Sequence, residues 1–420
     1  MANNLSSNIT RPLAKIFLEA FESSRVVTKT VNTQLLSGKF NPSTGTKVDF
    51  KRPHDYNTIR SAGGDISAAA KSDIIAGKAT GTVQEYFTAA TEWSNIQEAL
   101  ELDQLDQILE PMARRLVTDL ELDLAKFMRI NTGLNYGARG TAVDAWSDVA
   151  GAGAMMDSVG VPMSDNKYYL MNPFTTTSLA SAQSGLNAAD GLVRTAFEKA
   201  QIASNFGGMK ALTSNALSSY TSGSTTDRLG DLKTAPDATY VTAKDTMQQT
   251  MVIETLGTGT IEAGDQIQVA GVNRLNIATR QLILDTTGAA VPWTGTVLSV
   301  VTIAGNEATV VVSGAAIFEA NGQYNNVDAA PAAGAVVTIL GAAATVYQPN
   351  LFYTEQAFGL GTVKLPKLYS TDTVATTSDG MSIRVSKYSD GDANTQKIRF
   401  DLLPAYAVFQ PNFAGQGYGV

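Results

Sequence analysis

The sequence predicts an α+β protein that carries an inserted all-β domain, and three stretches predict it. One long amphipathic helix spans Asn95 to Ile130, short β-branched runs fill the stretch from about Ser222 to Ala344, and strand-like and helix-like pieces alternate on both sides of those runs. The chain has 420 residues and 44% hydrophobic content, enough for about two or three domains with sizeable cores.

The helix comes first because its period is the clearest. Leu102, Leu105, Ile108, Leu109, Met112, Leu116, Leu120 and Phe127 recur at three-, four- or seven-residue spacings and stack along one side, which predicts burial. Gln107, Glu110, Arg114, Thr118 and Glu121 fall on the far side, expected to be wet, with Glu110 and Arg114 at ion-pair spacing. Arg115, Asp119 and Asp123, with Lys126 beside them, flank the apolar stripe as a charged strip, either a second contact surface or a solvated coat. Pro111 predicts a kink or a restart.

Ahead of it, Pro12 to about Asn32 reads as a short amphipathic helix with Leu13, Ile16, Phe17, Ala20 and Phe21 on one side, Lys15, Glu19 and Glu22 elsewhere, and Pro12 in the first turn. Thr46 to Lys51 alternates like a half-solvated strand, and Thr82 to Thr91 reads as a second β run. Between them Arg52 to Gly81 is small, polar and short of large apolar side chains, so a protruding two-stranded arm that needs a neighbour is expected.

Beyond the long helix lies a glycine-marked loop, then helix-like pieces around Ala145 to Ser158 and Gly191 to Ile202. Between these pieces Lys167 to Met171 predicts a short buried strand and Asn172–Pro173 a turn. The runs TMVIETL, DQIQVAG, GTVLSVVTIAG, EATVVVSG and GAVVTILG predict an inserted sandwich or small barrel whose two ends lie close together. Met251, Ile253, Ile267, Val269, Val297, Leu298, Val300, Val311 and Ile339 are its predicted core. Strands around MSIRVSKY and KIRFDLLPAYAVF close the chain.

Composition excludes several chemistries. There is no cysteine and a single histidine, so thiolate and multi-histidine metal sites are out of reach and only His54 could serve as a hydrolase base. His54 sits beside a proline in the polar excursion, where a solvated side chain is the better reading. Gly77 and Lys78 suggest a phosphate loop, but Ser72 stands where its first glycine belongs and Ala79 where the magnesium hydroxyl belongs. Asp390, Asp392, Asn394 and Asp401 resemble a calcium loop in spacing, yet Thr395 replaces the turn glycine, and an ordinary hairpin is expected. No cofactor, metal or catalytic residue is therefore assigned. A net charge of -8 argues against a surface that grips nucleic acid throughout. The amino-terminal residues lack a secretory pattern, and Ala329 to Val346 is too broken by Pro331 to span a membrane, so a protein made inside a cell is expected. A carboxylate-based hydrolase and a β-rich adhesin or tail component remain as readings from other classes.

Five segments carry a resemblance: KRPHDYNTIR, IIAGKATG, AFEKAQIASNFGGMKAL, PNLFY and KYSDGDANTQKIRFDLLPAYAVF. They are similar to the major coat proteins of short-tailed lambdoid phages infecting Salmonella and Shigella, over most of the chain, and depart most in the insertion. The resemblance implies a Hong Kong 97-type fold: an N-terminal arm (1–45), an extended loop (46–92), a spine helix in a peripheral domain (93–140), and an axial domain (141–221 and 346–420) carrying the inserted β-barrel (222–345). It further implies hexamers and pentamers in an icosahedral shell that encloses double-stranded DNA, assembled with a scaffolding protein and a portal protein and expanded on packaging. Arg52, His54, Arg60, Lys71 and Lys78 are then candidate contacts between subunits. Glu19 and Glu22 are candidate scaffold contacts, and Arg115, Asp119, Asp123 and Lys126 a charged flank on the spine.

Overall fold

The computed structural model describes residues 17–35, 40, 45–94, 105–184, 199, 202–369 and 372–418, and its secondary structure is α+β and mostly β. Two compact units divide the chain. One takes Met1–Asp49, Thr80–Ala125 and Phe358–Ala407; the other takes Phe50–Ala79, Lys126–Ala357 and Val408–Val420.

In the first unit helix α1 covers residues 17–24; Pro12, Leu13, Lys15 and Ile16 lie outside the described residues. It stops short of Asn32 because the Ser23 and Ser24 hydroxyls both donate to the Ala20 carbonyl, at 3.0 and 2.8 Å, competing with the backbone of the next turn. Phe17 and Phe21 are fully buried, and Phe17 stacks on Phe400 with 3.9 Å between centroids. Phe400 belongs to a four-stranded antiparallel sheet in the order Thr373–Thr376, Ser382–Asp390, Thr395–Leu402, Phe87–Ser94. The expected β run at Thr82–Thr91 thus splits, since its first residues belong to strand Lys78–Val83 in a second sheet.

Helix α2 runs over Leu105–Ile130, and the expected segment from Asn95 through Leu102 lies outside the described residues. Pro111 causes no restart. It stands in the second turn, where a missing amide removes one bond near the helix end. Leu109, Leu116 and Leu120 are buried as expected, joined by Ala113, Val117 and Leu124, while Met112 and Phe127 are only partly buried. Glu121 corrects the prediction of a wet far face, being 4% exposed. Its Oε1 accepts the amides of Val26, Val27 (2.8 Å) and Thr28 (3.4 Å), the free donors at the start of the 3-10 turn Val27–Lys29. A helix start offers a carboxylate what water otherwise would, so this acid is drawn inward.

The second unit holds a six-stranded mixed sheet, ordered Leu134–Tyr136, Ala414–Gly417, Asn350–Thr354, Lys167–Met171, Met209–Thr213, Asn205–Phe206. Lys167–Met171 has the predicted bounds. Helix α3 (Trp146–Val159) lies one residue from prediction and packs Val149, Ala152, Met156 and Val159 against Leu134, Tyr169, Met171 and Phe352. Gly160 ends it at φ 106, a left-handed conformation that glycine adopts without strain. Asn172–Pro173 opens helix α4 (Pro173–Ser184) instead of making a turn: the Asn172 side chain accepts the Thr175 amide at 2.7 Å, and proline suits the first helical position. The predicted helix at Gly191–Ile202 lies almost wholly outside the described residues.

The β-branched runs form a closed antiparallel barrel, ordered Gln248–Glu254, Ala308–Ser313, Pro292–Val297, Gln266–Asn273, Val336–Ile339, Leu229–Leu232. Closure pairs every strand on both sides and leaves no edge. Its core includes Met251, Ile253, Ile267, Val269, Val297 and Ile339, as predicted, around the fully buried Trp293, whose Nε1 donates to Gly314 O at 2.9 Å. Three predicted core positions are wrong. Leu298 and Val311 are only partly buried, and Val300 is 55% exposed beyond its strand. Val310 and Val312 point inward instead, Val310 opposite Met251, because three consecutive valines hide the phase of a two-residue period. Strand Tyr220–Thr221 pairs with Val346–Tyr347, and Ser222 donates to Thr345 O at 2.9 Å, so entry to the barrel adjoins exit from it.

Candidate assembly surfaces

Residues 52–77 form neither helix nor strand, so the expected two-stranded arm is paired only at its base, Lys47–Lys51 against Lys78–Val83. Too poor in large apolar side chains to fold on itself, the segment rests on loops that join strands of the barrel. Arg280 pairs with Asp55, Asn57 Nδ2 donates to Asn321 O at 2.7 Å, Gln323 Nε2 donates to Asp73 O at 2.5 Å, and the Lys78 amide donates to Asp245 Oδ1 at 3.2 Å. Gly77 permits the closest approach, since a Cβ there would meet Lys244 O at 2.8 Å. That packing explains the Gly77–Lys78 pair without any phosphate.

Of the candidate contacts, His54, Arg60, Lys71 and Lys78 are exposed, with Lys71 Nζ donating to Ser67 O at 3.2 Å. Arg52 is not available. It is 9% exposed and donates to Lys78 O (3.0 Å) and Phe409 O, because the backbone on either side of it supplies acceptors that solvent does not reach. The reading from sequence also missed the segment's apolar side chains: Tyr56, Ile59, Ile66 and Ile74 are 54%, 37%, 42% and 76% exposed. They are scattered among small and polar residues and interrupted by Gly63 and Gly64, so no continuous apolar run marks them.

Glu19 is exposed, but Glu22 is half-buried and accepts the Ser378 amide at 2.6 Å, which corrects its expected exposure. The charged strip on α2 divides as well. Arg115 and Asp119 pair with each other at 3.0 Å on the surface, Asp123 accepts the Tyr406 hydroxyl at 3.0 Å, and Lys126 is exposed.

Buried charge was not foreseen. Arg274, 1% exposed, donates to Gly133 O, Thr294 O (2.8 Å) and Asn412 Oδ1 (3.3 Å), tying the barrel to the residues that lead into the neighbouring sheet strands Leu134–Tyr136 and Ala414–Gly417. Burial lowers its pKa to about 9, so the guanidinium still carries its charge at neutral pH. Arg139 and Arg228 both face the buried Asp265, at 3.6 and 3.9 Å, while Arg129 stacks on Tyr220 at 4.1 Å and Arg139 on Tyr418 at 4.7 Å. In the first unit Asp401, fully buried, accepts from Arg384 (2.6 Å), Arg399 (2.6 Å) and Thr88 (2.7 Å). Asp401 therefore sits near the end of strand Thr395–Leu402, opposite Arg384 and away from the Asp390–Asn394 turn, where Asp390 Oδ1 accepts the Asp392 amide at 3.1 Å. Among the described residues no three or more His, Cys, Asp or Glu gather as a metal would need, and no helix is long and apolar enough to cross a membrane.

Exposed apolar side chains on a segment without regular structure of its own make a surface suited to contact with another protein. Over residues 1–419 the chain matches the family described as "P22 coat protein - gene protein 5", and it belongs to that family. It is 47% identical over 424 residues, covering 100% of both chains, to a major capsid protein from Acyrthosiphon pisum secondary endosymbiont phage 1. Among solved structures it is similar to the capsid of Cyanophage P-SCSP1u, at 13% identity over 93% of this chain and 86% of that one, with a TM-score of 0.46. It is also similar to a solved structure from Mycobacterium phage Che8, at 12% identity over 94% of this chain and 89% of that one, with a TM-score of 0.47. The assignment rests on the family and the 47% identity. The protein is a phage major capsid protein, a structural component of the virion that assembles as oligomers into an icosahedral shell, and not an enzyme. Neither the hydrolase nor the adhesin reading is supported.

Proposed function

We propose that the chain adopts the Hong Kong 97-type arrangement of a short-tailed lambdoid phage, with an N-terminal arm at 1–45, an extended loop at 46–92 and a spine helix within 93–140. An axial domain at 141–221 and 346–420 carries the barrel at 222–345 as its insert. In this reading, subunits assemble in the host cytoplasm as hexamers and pentamers around a scaffolding protein and a portal protein, and the shell expands as double-stranded DNA is packaged. One observation carries it: Tyr56, Ile59, Ile66 and Ile74 stand exposed on a segment without regular structure, a surface a second copy would cover.

Protease treatment of free subunits and of assembled shells tests this. Cleavage at Lys71 should be fast in the former and suppressed in the latter, and equal rates would overturn the reading. For the scaffold, Glu19→Lys with Glu22→Lys should stop scaffold-directed assembly of a folded monomer. A normal procapsid yield would reject that contact. Because the net charge is -8, free subunits should bind DNA only weakly and with strong salt dependence in a mobility-shift assay.

A further inference from the structure

Among the barrel loops that carry residues 52–77, the one around Glu319–Asn325 holds a chemically reactive pair. Of all the asparagines in the sequence, only Asn321 is followed by glycine. Both residues stand there for the geometry of the turn. Asn321 has φ 58, a left-handed conformation that asparagine adopts more readily than most side chains. Gly322 is required because a Cβ on it would meet Asn325 Oδ1 at 2.5 Å and Glu319 Cβ at 2.8 Å. The same choice leaves the Gly322 amide with no side chain to shield it, next to the carboxamide of Asn321, an exposed residue on an open cleft of about 880 Å³.

Two hydrogen bonds restrain that pair. The Gly322 amide donates to Glu319 O at 2.8 Å, and Asn321 O accepts from Asn57 Nδ2 of segment 52–77 at 2.7 Å. An amide engaged as a donor is a poor nucleophile, so the pair reacts only when the turn opens. Opening in turn requires Asn57 to let go of the Asn321 carbonyl. Both Asn57 and Asn321 are exposed, and a hydrogen bond in such a place is worth only about 1 kcal/mol, so the restraint is one that thermal motion breaks often.

We infer that Asn321 is a site of spontaneous deamidation, gated by the docking of segment 52–77 on this loop. The Gly322 nitrogen attacks Asn321 Cγ. A bond from that nitrogen to Cγ forms, the Cγ–Nδ2 bond breaks, and Nδ2 departs as ammonia, taking up the amide proton through solvent. Water from the cleft then opens the cyclic imide. Cleavage of its N–Cγ bond gives aspartate, and cleavage between Gly322 N and the Asn321 backbone carbonyl carbon gives isoaspartate, whose main chain is longer by a carbon. Either product adds a carboxylate to a cleft that Glu319 and Asp73 line, and isoaspartate removes from the main chain the carbonyl that Asn57 holds. The reaction therefore loosens the segment irreversibly. It belongs to the single chain and stands whether or not that segment contacts a neighbour.

Peptide mass mapping of the full chain, aged as free subunits at mildly alkaline pH, tests it, with isoaspartate counted by enzymatic methylation. Asn306 and Asn394 are built-in comparators, being exposed and left-handed as well, at φ 63 and 50, but followed by Glu307 and Thr395. Asn321 should convert ahead of both. Asn57→Ala should speed its conversion about two- to tenfold, the factor that losing one hydrogen bond gives. Trypsin cleavage after Lys71 should rise in step with conversion, and Asn321→Gly, which suits the turn and lacks the carboxamide, should show no such rise on ageing. Conversion at Asn321 no faster than at Asn306 and Asn394, an unchanged rate in Asn57→Ala, or the same rise at Lys71 in aged Asn321→Gly would each overturn it.

Discussion

The barrel and the segment at 52–77 solve opposite problems within one unit. The barrel closes its hydrogen bonds on itself and buries Trp293 and nine or more aliphatic side chains, so nearly everything it needs is inside it. The segment closes nothing, leaves four large apolar side chains in solvent, and borrows its partners from Arg280, Asn321 and Gln323. The lesson concerns where free energy resides. Barrel stability belongs to the single chain, whereas the segment's apolar surface yields nothing until something covers it.

Substitutions can break that contrast. The largest effect is expected from Trp293→Ala, which removes the central side chain of the barrel and should cost about 3–5 kcal/mol in denaturant unfolding, while Ile74→Ser should stay within about 0.5 kcal/mol for the isolated subunit. Comparable losses at the two sites would end the distinction. Asp401→Asn should cost a similar amount, about 3–5 kcal/mol, by leaving Arg384 buried without its counter-charge. Next, Val310→Thr should cost about 1–3 kcal/mol through a buried hydroxyl without a partner, and Val311→Thr should be close to neutral. Reversed values would mean the phase of that strand is wrong.

Acid sharpens the comparison further, for it acts in the other unit and spares the barrel's apolar interior. Burial pushes the Asp379 and Asp401 carboxyls up, but hydrogen bonds from Arg25 and Thr377, and from Arg384, Arg399 and Thr88, outweigh it and hold both below the ordinary 3.8. Their contribution is therefore fully present above pH 3.8 and is lost as the pH falls through their lowered values. Glu121 goes the other way. Burial raises it above the ordinary 4.5 against the pull of the Val26, Thr28 and Val27 amides, so its charge costs stability at neutral pH, and that cost fades as the pH falls toward 4.5. Glu121→Gln should flatten the pH dependence above 4.5 and leave the loss below 3.8 unchanged, as followed by thermal unfolding. The smallest effect is expected from Gly77→Ala. It should displace the base of the segment from Lys244 and speed proteolysis at Lys71, with little change in Tm.

Period was the part of the fold legible beforehand. Lys167–Met171, α3, the buried stripe of α2 and an all-β region that is a sandwich or a barrel all follow from the spacing of apolar side chains within windows of a few residues, and a phage coat protein could be read from five short segments. Each of these signals is local and survives without knowledge of what packs against it. Tertiary structure alone decided which charges go inside. Glu121 is buried because the amides of Val26–Thr28 arrive from far along the chain, Arg52 because Phe409 O does, and Arg274 because Gly133, Thr294 and Asn412 converge on it. The same holds for the candidate surface. Its exposed isoleucines and its cleft depend on which loops of the barrel lie beneath residues 52–77. A charge or an apolar side chain has the same local sequence whether it is covered or not, and only distant partners settle its solvation.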